Sequence, residues 1–410
     1  MKRLYGMMIL AAALLCAPAC EKIDNGKEAE EITPAVPIVL TKADQAVCDA
    51  SNVSGLDIFS RLYAMRDGKD VSFSPLSLSL AFAMAAEGAE GETYRQISDA
   101  FGWGGATKAE LGAFYGKMID GLVKADPKVS FTSSNSLWTA KDFAVKDGYR
   151  KALGEHFAAE CYQVDFTAAA TLRKINDWCS AKTDGKIPQM LQQLDPETRM
   201  MLINALLYKA PWATEWTVEE DRAFRGEGAV SKKDFLHAEK AFGYADLAAC
   251  EAVSLPYGNG AYEMVVFLPK EGRTVDGILP LVREKAAGLV LPTRSVEVFL
   301  PKFSTDYSTE GALPAILKAK GVRNAFSDAA DFSGISADED VMISQVLQKV
   351  KIDVTEKGTE FAAVTVISFV TSALPTTPQK KIVFDADRPF VYMIRETSTN
   401  AILLIGTMSK

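Results

Sequence analysis

Histidine is almost missing from this chain. His156 and His237 are the only two in 410 residues, so a triad that moves protons through an imidazole has few options. Neither lies in a catalytic motif, and His156 falls inside a helical pattern; structural or surface roles account for both. The sequence also lacks Gly-x-Ser-x-Gly, His-Glu-x-x-His, a phosphate loop and a dinucleotide fingerprint. No enzyme activity is therefore expected. Asp328, Asp331, Asp338, Glu339 and Asp340 cluster without calcium-loop spacing. They read as a solvated face, and neither metal nor cofactor is expected. Basic residues are in deficit: 45 Lys and Arg against 53 Asp and Glu give a formal net charge of −8. With the cations scattered, this balance argues against nucleic acid and against electrostatic docking to anionic lipid. Long apolar runs are missing too. Beyond the N-terminus nothing approaches the ~20 residues of a membrane-spanning helix.

The N-terminus is the exception. Lys2 and Arg3 precede an apolar run from Met7 to Leu15 and then Ala17-Pro18-Ala19-Cys20, the pattern of a signal peptide over residues 1–19. Ala-Pro-Ala fits the small-x-small rule of ordinary secretion. A small residue before Cys20 also resembles a bacterial lipobox, although Ala17 stands where Leu is usual. The expectation is an exported protein, lipidated on Cys20 and held at the outer membrane, on its periplasmic face or the cell surface, by that lipid alone. Plain secretion is the alternative. Residues 20–45 then form a polar, flexible tether. Cys16 leaves with the signal, so Cys48, Cys161, Cys179 and Cys250 remain. An exported compartment permits disulfides, but four cysteines allow three pairings and sequence cannot choose. Their spacings match no metal site, and buried free thiols are the plainer expectation.

The rest reads as one large domain, residues 46–410. Hydrophobic residues make up 48% of the sequence, enough for a sizeable core, and no linker, composition break or repeat divides it. Val47 to Arg66 is helical in pattern, with Leu56, Phe59, Ser60 and Tyr63 on one face. Ser74-Pro75 starts a second helix, Ser as cap and Pro at the first helical position. Val129 to Thr139 looks like a strand, Tyr149 to Phe157 a helix, Cys161 to Phe166 a short strand and Thr171 to Thr183 a helix. Met200 to Tyr208 is a continuous apolar run, as in a strand covered on both faces. Val253 to Tyr257 and Tyr262 to Leu268 flank a Gly258-Asn259-Gly260 turn. Val296 to Leu300 alternates, Leu313 to Lys320 is helical, and Ile382 to Thr407 supplies closing strands. Helices come first and strands later, which is the pattern of an α+β fold.

One stretch near the end organises the whole. Val350, Ile352 and Val354 alternate with Lys351, Asp353 and Thr355 in the period of a half-buried strand. Glu356-Lys357-Gly358-Thr359-Glu360-Phe361-Ala362-Ala363 follows, then the strand-prone run Val364 to Val370. After Leu374 the sequence Pro375-Thr376-Thr377-Pro378 cannot continue a regular strand. Glu-Lys-Gly-Thr-Glu resembles the hinge of the serpins, inhibitors that trap proteases by inserting a reactive loop into their main sheet. Other motifs resemble the same family in the same order. They include Asp70-Val-Ser-Phe-Ser-Pro-Leu-Ser77, Ile175-Asn-Asp-Trp178, Asp184-Gly-Lys-Ile-Pro188 and Asn204-Ala-Leu-Leu-Tyr-Lys-Ala-Pro-Trp212. Leu300-Pro-Lys-Phe303, Phe326 to Gly334 and Asp387-Arg-Pro-Phe390 continue the series. The resemblance runs from about Ser51 to the C-terminus. It implies a monomer with three sheets, eight or nine helices and an exposed reactive loop over residues 356–381.

It also implies roles for particular residues. If Thr359 faces inward on insertion, alternation sends Phe361, Ala363, Thr365 and Ile367 inward and Glu360, Ala362, Val364 and Val366 outward. Phe361 departs from the family, whose inhibitory members nearly always have Ala there; a ring in that place costs about 1–3 kcal/mol of overpacking. The family's usual spacing from the hinge puts the reactive bond at Ser372-Ala373, within a window of Phe369, Val370, Thr371, Leu374, Pro375 and Thr376. No Lys or Arg lies between Lys357 and Lys380. Small residues at the bond suit elastase-like serine proteases, and Phe369 offers a chymotrypsin- or subtilisin-like alternative. A non-inhibitory binding protein and a cross-class inhibitor of papain-like cysteine proteases stay open. Ser74, Ser77 and Asn204 match the family's shutter, with Gln348 where His is usual, and Trp212 matches the breach. A carboxamide can donate and accept but cannot titrate. Loop insertion should therefore depend less on pH between 5 and 8 in the wild type than in Gln348→His; identical pH profiles of the insertion rate would refute this.

Overall fold

Thr41 opens the first helix. Its hydroxyl accepts from the Asp44 N–H while the Asp44 carboxylate accepts from the Thr41 N–H, a reciprocal cap. The computed structural model describes residues 33–309, 311–337, 341–359 and 382–410. Helices dominate the first half: α1 (Lys42–Ala64), the short β1 (Ser72–Phe73), α2 (Pro75–Gly88), α3 (Gly91–Phe101) and α4 (Lys108–Lys124). Next come β2 (Ser130–Ala140), α5 (Asp147–Phe157), β3 (Glu160–Val164) and α6 (Ala169–Lys182). Strands then take over with β4 (Met200–Pro211), β5 (Thr217–Arg225), β6 (Val230–Asp246), β7 (Cys250–Tyr257) and β8 (Tyr262–Pro269). After α7 (Val275–Lys285) the chain forms β9 (Thr293–Pro301), β10 (Phe303–Ser308) and α8 (Ala312–Ala319). It closes with β11 (Lys349–Thr355), β12 (Gly358–Thr359), β13 (Ile382–Asp385), β14 (Phe390–Glu396) and β15 (Ile402–Met408).

The order is the expected α+β one, with eight α-helices among the described residues. The three expected sheets appear as two hydrogen-bonded networks, because β6 is long enough to run from one sheet into the next. It pairs with β5 and β9 along most of its length and with β7 at its end. The other network is the six-stranded main sheet, in the order β10-β11-β12-β4-β2-β3. Helices α3, α4 and α7 and strands β5, β6 and β10 were not legible in the sequence. In α4 the reason is visible: Gly112 and Gly116 interrupt its apolar pattern. A Cβ on Gly112 would lie 2.8 Å from the His156 ring, so glycine lets α5 approach closely.

Strand β4 carries apolar residues on both faces because both are covered. Helix α2 packs against it on one side and α6 on the other. Helix α6 is fastened to the sheet edge through Glu160 on β3. The Glu160 carboxylate accepts from Lys182 Nζ at 2.6 Å, from Trp178 Nε1 at 2.8 Å and from the Tyr162 hydroxyl. Trp138 on β2 stacks on Tyr162 with centroids 4.3 Å apart and meets Trp178 edge-on. Among the cysteines, Cys48, Cys179 and Cys250 are buried free thiols, and Cys161 is free but exposed. Expecting all four to be buried was thus wrong for Cys161: it lies on the edge strand β3, with its side chain turned outward from the sheet's covered face. Burial pushes the Cys48 and Cys179 thiols up to about 12, which keeps them protonated and inert.

The Glu160 cluster has a consequence in acid. Lys182, then Tyr162, holds its carboxyl down to about 2 from an ordinary 4.5. A depressed folded-state value stabilises the fold above the unfolded value, and that stabilisation is lost as pH falls from about 4.5 through about 2. The protection factors of the amides in residues 169–182, exchange corrected for its intrinsic pH dependence, should therefore fall over this window, and Glu160→Gln should show the low protection already at pH 5. If exchange in wild type and Glu160→Gln coincides at pH 5, the cluster does not fasten α6.

Candidate functional site

Among the described residues, the centre of the main sheet is built around a gap. Strands β4 and β11 run parallel to one another, and the only ladder connecting them among the described residues passes through the two residues of β12. Thr359 stands between Ala210 on β4 and Val354 on β11, and Gly358 between Pro211 and Thr355. Thr359 is 3% exposed, and its hydroxyl shares a hydrogen bond with the Tyr257 hydroxyl beneath the sheet. It therefore faces inward, on the side of Ile352 and Val354, which are buried as the alternation of β11 predicts.

Trp212 holds the top of the gap. Its Nε1 donates to Thr355 O at 2.8 Å and its backbone N–H to Lys357 O at 3.3 Å. Its ring stacks on Tyr257 at 4.4 Å. Glu356 lies 3.0 Å from Lys302 Nζ. The Glu356 carboxyl is held below the usual carboxylate range by its own backbone N–H and then by Lys302. Lys357 completes the turn into β12.

The lower part of the gap is tied to the first turn of α2. Gln348, buried just before β11, uses both ends of its carboxamide on one residue. Its Oε1 accepts from the Ser74 N–H at 2.8 Å and its Nε2 donates to Ser74 O at 3.1 Å. The Ser74 hydroxyl accepts from the Ser77 N–H and donates to Leu403 O at 2.6 Å. The Ser77 hydroxyl donates to Asn204 Oδ1 on β4, and Asn204 Nδ2 donates to Asn135 Oδ1 at 2.7 Å and Ser133 Oγ at 3.0 Å. One helix terminus thus grips both sides of the gap. Between the grips lies a cavity of about 70 Å³, lined by Leu206, Tyr208, Ile352 and Thr359 among others.

Ser74, Ser77, Asn204, Gln348, Trp212 and Glu356 to Thr359 therefore line one continuous gap. The remaining sequence-derived positions lie outside the described residues. These are the hinge residues Glu360, Phe361, Ala362, Ala363, Val364 and Thr365; the loop residues Phe369, Val370, Thr371, Ser372, Ala373, Leu374, Pro375 and Thr376; and Cys20. Three contributors went unnoticed in the sequence. Tyr257 meets Thr359 across 102 residues of chain, Thr309 Oγ1 accepts from the Gln348 N–H at 3.0 Å, and Lys302 pairs with Glu356. No local pattern marks such contacts.

A family model described as Serpin (serine protease inhibitor) matches residues 49–410. The chain belongs to the serpin family. Iripin-3 of Ixodes ricinus is 32% identical over 382 residues, spanning 89% of this chain and 95% of that protein. An uncharacterized serpin-like protein of Methanosarcina mazei is 28% identical over 420 residues, spanning 97% of this chain and 96% of that protein. The thermophilic serpin tengpin in its native state aligns with a TM-score of 0.76 at 27% identity, over 93% of this chain and 97% of tengpin. Serpins are in general protease inhibitors and not catalysts.

In this serpin the entrance to the gap requires glycine. Gly358 has a φ of 147°, and a Cβ there would lie 2.1 Å from Ala210 O and 2.8 Å from Pro211 Cα. Both neighbours are backbone, so neither can swing aside. Gly358→Ala should expel β12 from the sheet, breaking the Thr359–Tyr257 bond and loosening the turn on Trp212. The Trp212 emission, isolated by comparison with Trp212→Phe, should shift to the red. An unchanged spectrum in Gly358→Ala would show that the ladder does not depend on this glycine.

Proposed function

We propose that this serpin is a suicide-substrate inhibitor that traps serine proteases of elastase-like preference at Ser372-Ala373. The observation that carries the reading is the pairing of Gly358 and Thr359 on both sides, between β4 and β11. On this reading Gly358 and Thr359 begin the reactive loop's hinge, and the rungs below them have no partner strand among the described residues. The protease's own nucleophile would attack the loop and form an acyl-enzyme. Insertion before deacylation would then carry the enzyme along a new strand of ~14 residues, roughly 45 Å long. The energy comes from backbone groups that gain partners on both sides, and from two strand edges that no longer face each other unpaired.

The register supports a specific path. Continuing the ladder by twos from Thr359 sets Phe361 opposite Tyr208 and Ile352, Ala363 opposite Leu206 and Val350, and Thr365 opposite Asn204 and Gln348. Ala363 and Thr365 suit those neighbours in size and polarity. Phe361 would meet the half-buried Tyr208, whose hydroxyl has no partner among the described residues. The cavity at this rung offers part of the space a ring needs, which favours insertion despite Phe361. The same ring favours the second reading, a non-inhibitory protein in which cleavage outruns insertion. Inhibition of papain-like cysteine proteases, with Phe369 or Val370 as anchor, uses the same loop. Export with a lipid on Cys20 completes the proposal and would place the inhibitor at a bacterial outer membrane.

The protein beginning at Glu21 is incubated with elastase and followed by denaturing gels and intact mass. An SDS-stable adduct and a released peptide beginning at Ala373 are expected. Phe361→Ala should raise the insertion rate by ~5-fold or more and with it the trapped fraction, as removal of ~1 kcal/mol or more of overpacking requires. Complete cleavage without adduct by elastase, chymotrypsin and subtilisin would overturn the inhibitor reading.

A further inference from the structure

The chain leaving α6 doubles back across the outer face of the gap. Asp184 and Gly185 both have left-handed backbone, with φ of 46° and 77°, and so reverse the chain within one turn. Thr183 fixes that turn: its hydroxyl donates to Cys179 O at 2.7 Å and accepts from the Ile187 N–H at 3.1 Å. The turn presents one charge to each side. Lys209 on β4 donates to Asp184 at 2.7 Å, and Lys186 donates to Asp353 on β11 at 3.3 Å. Lys349, also on β11, reaches Gln189 O at 3.4 Å.

The place of these contacts matters more than their number. Ala210 and Val354 flank Thr359, so Lys209 and Asp353 flank the next rung, where the described part of β12 ends. Ala210 and Val354 are buried, and alternation turns Lys209 and Asp353 to the outer face, where the turn lies. We propose that Asp184 to Lys186 form a charge-paired buckle that ties β4 to β11 and sets how fast the gap can widen. The proposal rests on the insertion reading above. A new strand needs a full inter-strand spacing of ~4.8 Å on each side, and the buckle must release at least one side to allow it. The two pairs act in series through one short turn, so opening either breaks the charge-paired link between the strands and leaves the Lys349–Gln189 contact on the β11 side.

Partly exposed ion pairs of this kind are worth little individually and are screened by salt. The expected effects are accordingly kinetic and modest. Gap opening is read in the intact full chain by amide exchange over residues 200–211 and 349–355. Insertion is read as the rate at which heat resistance rises after subtilisin cuts the loop. Asp184→Asn and Lys186→Gln should each speed both processes ~2- to 5-fold. The double variant should be no faster than the faster single one. High salt should bring the wild type up to the variants and leave them unmoved, and reversing the first pair (Asp184→Lys with Lys209→Asp) should restore the slow rate. Unchanged rates, or single effects that multiply in the double variant, would overturn the buckle. If the cut wild type never gains heat resistance, the insertion reading fails, and the exchange rates still decide the buckle.

Discussion

The structure depends on a ladder that, among the described residues, is not closed. Strands β4 and β11 lie in the middle of the main sheet, where backbone donors and acceptors ordinarily find partners on both sides. Here their connection runs through Gly358 and Thr359 alone among the described residues. A gap of this kind is costly to keep, because it leaves strand edges that another strand could satisfy. What keeps it is a set of contacts at its top, beneath it and over its outer face.

Those contacts sort by depth. Beneath the sheet, the first turn of α2 holds Gln348 through both backbone groups of Ser74 and holds Asn204 through Ser77. These bonds are buried and neutral, so they are insensitive to salt and expensive to break without replacement. At the top, Trp212 stacks on Tyr257 and holds the turn before β12 by hydrogen bonds to its backbone, and the Tyr257 hydroxyl pairs with the Thr359 side chain in β12. Over the outer face, the turn after α6 adds charge pairs that water and salt can weaken. Helix α6 itself is moored at the far edge by Glu160. The weakest restraints thus lie on the outside and the strongest below, an order that suits the insertion proposed above.

Local chemistry explains how much of this was legible. The cap at Ser74-Pro75, the alternation of Val350, Ile352 and Val354 and the two-sided apolar run of β4 are short-range patterns, each tied to the period of its element. The Glu356-Lys357-Gly358-Thr359 motif is equally local, and Gly358 does occupy a backbone position that only glycine fits. Helix α4 escaped because its glycines serve contact with His156 and not the helix's own pattern. Strand β6 escaped because its long polar alternation serves two sheets at once.

The sequence by itself determined the class of fold and the family, since these rest on periodicity, caps and motifs a few residues long. It also determined that Gln348 brings a group that donates and accepts without titrating. Only the tertiary structure decided that Gly358 and Thr359 sit within the main sheet, that Tyr257 meets Thr359 and Lys302 meets Glu356, and that Asp184 and Lys186 reach opposite strands. These contacts join residues tens to hundreds of positions apart, and their partners are chosen by how sheets and helices stack. No window along the chain contains that information.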